Sequence, residues 1–236
     1  MPSAFCTFEF YLPNSALAST ANREAGKRGS MSWLKKLVTP ITIHEAAKRK
    51  DAKALRQAIR QAPSLDDWDE DGKTALLIAV MEQDISCVKE LLENGADPNI
   101  PTRPEYMPDM MSYTVRRTPL WFALRRNNTE MLQLLILKGA NIDDLGEGDP
   151  ALAEAIRGGN ERAVEILIEH GANVNAVANG RTMLQLAEEE KDNRTQTIQW
   201  INHDVLALPN YDCEAAVKFI ERLQHIAEAL KKAGAR

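Results

Sequence analysis

The chain has 236 residues, 44% of them hydrophobic and 27% charged, the make-up of an ordinary folded protein long enough for one large domain or an extended array. A formal charge of −5 sets up no field that would gather nucleic acid non-specifically. No apolar run reaches the roughly 18 residues needed to cross a bilayer, and Cys6, Cys87 and Cys213 stand at neither metal-ligand nor redox spacing, which fits a reducing, cytoplasmic setting.

Residues 1–30 stand apart. "MPSAFCTFEFYLPNSALAST" holds a short apolar stretch and an Ala16-Leu17-Ala18 of cleavage-site type, but Glu9 and Pro13 interrupt it and no basic segment opens it. That argues against a signal peptide. "ANREAGKRGS" reads as a flexible tail, Met31 is an alternative start, and 1–30 are expected to lie outside the fold.

From residue 41 onward the chain keeps a beat. Asn94-Gly95-Ala96-Asp97, Lys138-Gly139-Ala140-Asn141 and His170-Gly171-Ala172-Asn173 share one ending. Ahead of each stands a shared opening: Thr74-Ala75-Leu76, Thr118-Pro119-Leu120 and Pro150-Ala151-Leu152. Thr182-Met183-Leu184 is a fourth copy and Ile41-Thr42-Ile43-His44-Glu45-Ala46-Ala47 a divergent first. Starts at 41, 74, 118, 150 and 182 are separated by 33, 44, 32 and 32 residues, a period that marks a repeat array.

Each unit predicts helix, turn, helix and an extended connection. Thr118-Pro119 supplies an N-cap and a first helical residue. A small residue recurs at one place in the first helix, Ala46, Ala79, Ala123, Ala155 and Ala187, so neighbouring helices can approach closely. The second helix carries apolar stripes at i, i+3, i+4: Val88, Leu91, Leu92, then Leu132, Leu135, Ile136, then Val164, Leu167, Ile168. Gly95, Gly139 and Gly171 end those helices, where a left-handed conformation costs glycine little.

The pattern resembles the ankyrin repeat, G-x-T-P-L-H-x-A-A, a second helix, then G-A-D-V-N. Gly72-Lys73-Thr74-Ala75-Leu76, Gly95-Ala96-Asp97-Pro98-Asn99 and Gly171-Ala172-Asn173-Val174-Asn175 match it, over about 41–202. The family's histidine survives only as His44; Leu77, Trp121, Ala153 and Gln185 replace it, which removes a local hydrogen bond in those units. The resemblance implies an all-α ankyrin-repeat solenoid of about five helix-turn-helix units. The array is expected over 31–202, and a linker with a C-terminal capping helix over 203–236. In the last unit "RTQTIQWI" is read as a polar, degenerate second helix. The cap is expected to cover it with Ala216, Phe219, Ile220, Leu223, Ile226, Ala227 and Leu230, between an Asp212 N-cap and Lys231-Lys232.

Catalytic and metal chemistry finds little support. Asp67, Asp69, Asp71 and Gly72 imitate the first half of a calcium loop, but Ile78 stands where that loop needs glutamate. His44, His170, His203 and His225 fall in different units without ligand spacing. No nucleophile sits in a recognisable context, so a non-enzymatic protein without cofactor or metal is expected.

The resemblance also implies that a protein partner lies against the concave side, made by the finger turns and the exposed ends of the first helices. Arg116, Arg117, Arg125, Arg126 and Lys138 fall in or near such positions, with Glu130 the one acid between 116 and 138. Arg157 extends the basic strip, and Glu188, Glu189 and Glu190 are expected to reverse its sign in the last unit. The long interval holds "IPTRPEYMPDMMSYTVR", residues 100–116, which lengthens one finger. Its Tyr106, Met107, Met110, Met111 and Tyr113 suit an irregular partner surface; packing back beside Trp121 and Phe122 is the rival. Binding of an acidic or phosphorylated segment by a monomer, without nucleic acid or membrane, is the expectation. A self-associating scaffold using the C-terminal helix or the loop is the alternative.

Overall fold

A computed structural model describes residues 41–104, 115–145, 150–203 and 212–236, together with the backbone of 106–107 and 112–113; the side chains of 200–203 and 213 are outside that description. The chain divides into Met1–Pro40, which holds the expected tail and lies outside the described residues, and Ile41–Arg236.

Within Ile41–Arg236 the helices come in pairs. These are α1 (Ile43–Lys48) with α2 (Ala52–Ile59), α3 (Ala75–Met81) with α4 (Ile85–Glu93), α5 (Pro119–Arg125) with α6 (Thr129–Leu137), and α7 (Ala151–Arg157) with α8 (Glu161–Glu169). The long α9 (Met183–His203) and α10 (Cys213–Lys232) follow. The first members α1, α3, α5, α7 and α9 pack one on the next as an inner layer, while α2 packs on α4, α6 on α8 and α8 on α10. The result is the expected all-α repeat solenoid.

Local chemistry explains the regularity. Between the two helices of a pair one residue turns left-handed: Lys50, Gln83, Asn127 and Gly159, with φ from 52° to 59° in that set and Asn179 together. The next residue is always Asp or Asn, and it caps the outer helix. Asp51 accepts from the amides of Lys53 and Ala54, Asp84 from Ser86 and Cys87, Asn128 from Met131, and Asn160 from Ala163. At the far end Gly95, Gly139 and Gly171 adopt φ of 91°, 90° and 85°. There the amides of Ala96, Ala140 and Ala172 reach back to Leu91, Leu135 and Leu167 at 3.0, 3.0 and 2.9 Å, closing a Schellman turn.

Ala46, Ala79, Ala123, Ala155 and Ala187 are all buried in one continuous apolar cluster with Val88, Leu91, Leu132, Leu135, Val164 and Leu167. Stacking thus removes both faces of each unit from water, which no unit could do alone.

The last unit departs from expectation. "RTQTIQWI" is no separate second helix, because α9 runs unbroken from Met183 to His203. Lys191-Asp192 repeats the Lys50-Asp51 pair that turns the chain in the first unit, yet here it stays helical. Burial decides the matter: Arg194, Gln196, Thr197 and Gln199 offer no apolar stripe, whereas α10 buries Leu223, Ile226, Ala227 and Leu230 against α8 and α9. The capping helix therefore fills the outer-helix place of the fifth unit. Its ending has the repeat's own form: Gly234 has φ 91° and the Ala235 amide reaches Leu230 at 3.0 Å.

Two fingers carry short antiparallel hairpins. In one, β3 (Val177–Ala178) pairs with β4 (Arg181–Thr182) around Asn179-Gly180, both at positive φ, the two-residue turn whose twist suits a hairpin. In the long finger β1 (Tyr106–Met107) pairs with β2 (Ser112–Tyr113), Tyr106 opposite Tyr113. Its base is tied down: Thr102 donates its amide to Arg117 at 2.9 Å, and Arg103 donates to Gly72 of the preceding finger at 2.8 Å.

Candidate partner-binding surface

Arg117, Trp121 and Arg125 lie four residues apart, from just before α5 to its last residue, so they share one face. The guanidinium of Arg117 lies 4.7 Å from the indole centroid of Trp121, and that of Arg125 lies 5.6 Å away. Phe122 meets the indole edge-on at 5.0 Å and 90°. Each cation over the ring contributes about 0.5–1 kcal/mol at such half-exposed places. The stack also holds two flexible side chains in place, which lowers the ordering cost of binding an oxyanion.

The neighbouring unit closes the cluster. Glu154, in the first turn of α7, sits 3.4 Å from Arg125 Nη1 through one oxygen and 3.7 Å from Arg157 Nη1 through the other. Its side chain is 13% exposed against 59% for Arg125 and 26% for Arg157. The structure thus brings Arg117, Trp121, Arg125 and Arg157 together, with an internal carboxylate among them.

The remaining expected residues are placed less centrally. Arg116 and Arg126 are exposed at the two ends of the α5 segment, and Arg126 makes no ion pair among the described residues. Lys138 is the C-cap residue of α6, on the outer layer, and makes none of the contacts around Trp121. The backbone of Tyr106, Met107 and Tyr113 is described but their side chains are not, and Met110 and Met111 lie outside the described residues. The expected reversal of sign in the last unit is softened, because Glu188 pairs with Lys231 at 3.4 Å and Glu189 with Arg181 at 2.5 Å.

Trp68 was not anticipated. It stands in the first finger, 47% exposed, with its indole N–H donated to the Pro101 carbonyl at 3.1 Å. A large, half-exposed aromatic ring held in a finger by its polar edge is the kind of residue that dominates interfaces. In the sequence it stands inside "DWDEDG", among four carboxylates. Those carboxylates shape the turn: Asp69 accepts from the amides of Asp71 and Lys73 at 3.0 and 2.9 Å and pairs with Lys48 at 3.1 Å. Burial alone would raise its pKa, but the Lys73 amide and the Lys48 ammonium hold it below the ordinary 3.8.

The described cysteine offers no nucleophile. Cys87 is buried, and loss of solvation, aided by Asp84, pushes its thiol up to about 12.

Among the described residues no helix is long and apolar enough to cross a membrane. A family model for ankyrin repeats in three copies matches residues 29–102, 104–178 and 120–205. With paired helices, Schellman endings and fingers already in place, the chain belongs to the ankyrin-repeat family.

Proposed function

We propose that the protein binds an acidic or phosphorylated segment of another protein through the face of α5, bordered by the first and second fingers. Ankyrin repeats generally mediate protein–protein interaction; what supports this particular site is the Arg117–Trp121–Arg125 stack. Two guanidinium groups fixed against one indole present forked donors to carboxylate or phosphate oxygens. Trp68, tied to Pro101 on the neighbouring finger, adds apolar area at the border. Self-association through the C-terminal helix has less to draw on, since Leu223, Ile226, Ala227 and Leu230 are spent within the chain.

The test is affinity capture from native lysate by the full chain, read by mass spectrometry. The comparison protein carries Arg116, Arg117 and Arg126 changed to Glu, with folding verified by circular dichroism. Arg125 is spared because it pairs with Glu154. Loss of a partner in the variant supports the site; equal recovery removes it.

A further inference from the structure

Glu154 is an enclosed carboxylate at a place where three of the five units carry an apolar side chain. The equivalent residues of those three are Ile78 and Leu186, buried, and Phe122, half-buried, while Glu45 of the first unit is half-exposed and pairs with Arg49 just after its own helix. At Glu154 the carboxylate is largely desolvated, and that is costly without a partner. Here the partners are Arg125 and Arg157, one from each of two successive helices. Both separations, 3.4 and 3.7 Å, exceed the roughly 2.7–2.9 Å of a well-formed charge-assisted bond. The carboxylate is enclosed, but loosely held.

From this we infer that Glu154 is an internal competitor that sets the charge an incoming ligand must carry, so that the site selects a phosphorylated segment over a merely acidic one. The inference rests on the partner site proposed above. A ligand carboxylate offers Arg125 and Arg157 one negative charge, the same as Glu154 already gives, and gains little by replacing it. A phosphoryl group brings a charge of about −1.5 to −2 and three strong acceptor oxygens. It can take the Arg125 fork with two of its oxygens while Glu154 withdraws or keeps only Arg157.

Fluorescence anisotropy tests this with the full chain and two short labelled peptides of Gly and Glu. One has a central phosphoserine, and its twin has glutamate at that place. Wild-type protein is expected to prefer the phosphopeptide by roughly tenfold, a difference of about 1.4 kcal/mol. In Glu154→Gln the twin gains more than the phosphopeptide, and the preference shrinks several-fold. Glu154→Met, which fills similar space without charge, repeats the comparison should the amide disturb the helix joint. A merely structural Glu154 would leave the ratio untouched, and an unchanged ratio in both variants overturns the inference. Arg117→Glu separates the two ideas. If it weakens both peptides while Glu154 substitution leaves their ratio unchanged, the site stands and the competitor falls. If it affects neither peptide, the site itself falls and takes the competitor with it. Failure of both peptides to bind any of the proteins also overturns the competitor, leaving the site to the lysate comparison.

Discussion

The main-chain amide of Arg236 donates to the side-chain oxygen of Asn175 at 3.0 Å, across 61 residues of chain. The Asn175 amide also reaches the Gly234 carbonyl at 3.5 Å. Asn99 makes the same two bonds to the next ending, from Asn141 at 2.7 Å and to Gly139 at 3.1 Å. An asparagine that both accepts and donates thus stitches one unit's finger to the glycine turn of the next.

Asn99→Ala should therefore cost about 1 kcal/mol, the net worth of exposed hydrogen bonds, measured by urea unfolding. Asn175→Ala should cost less, its donated bond being longer. Asp143 holds the equivalent position between the third and fourth units but has no amide to donate. Asp143→Asn should add a few tenths of a kcal/mol, and a loss of stability there would refute the stitching role.

Thr74 and Thr118 differ as caps, although neither unit carries the family's histidine. Thr74 caps α3 by accepting the Leu77 amide at 3.2 Å, whereas the buried Thr118 hydroxyl makes no side-chain cap bond and has no partner among the described residues. Neither Leu77 nor Trp121, which stand where the family carries histidine, offers the threonine an acceptor, so the difference lies in the cap bond alone. Thr118→Val should stabilise the protein by about 1 kcal/mol by removing an unsatisfied polar group, while Thr74→Val should cost about 1 kcal/mol as a lost cap. Equal effects at the two sites, read by thermal unfolding, would contradict this account.

The repeat endings and the alanines of the inner layer were legible because each is a local, periodic need: left-handed turns want glycine, and close helices want small side chains. The fifth unit was not. Its outer helix lies beyond α9, and the Lys191-Asp192 turn signal is overruled by where the apolar stripe sits. The arginine cluster was legible as charge but not as geometry. Glu154 lies 29 residues from Arg125 in the chain, and only stacking of α5 on α7 brings them together. Trp68 needed the neighbouring finger before its ring had a fixed place.

Gly159 and Phe219 carry a sharper test of the last joint. A Cβ on Gly159 would stand 2.5 Å from the Phe219 ring, at a φ of 59°, and Arg194 lies over the ring at 4.7 Å. Gly159→Ala should cost about 2–3 kcal/mol, combining overpacking with left-handed strain. At Gly95, also left-handed, no atom lies within 4 Å, so Gly95→Ala should cost only about 1–2 kcal/mol. In a Phe219→Ala background the Gly159→Ala penalty should fall to that same level. An additive double-mutant cycle would show that the ring does not press on the turn.

Asp69 makes the first finger sensitive to acid. Its carboxyl titrates below the ordinary 3.8, because the Lys73 amide and Lys48 ammonium outweigh the effect of burial. The folded chain therefore takes up this proton less readily than the unfolded chain does. The stability it contributes is fully present above about pH 4 and is lost as pH falls through the folded value. Asp69→Asn keeps an oxygen for the amides of Asp71 and Lys73 but not the charge facing Lys48. The variant should be less stable than wild type at neutral pH, and the gap should close as unfolding is repeated in progressively more acid buffer. A gap of constant size from neutrality down to about pH 3 would mean that Lys48 contributes nothing through this carboxylate.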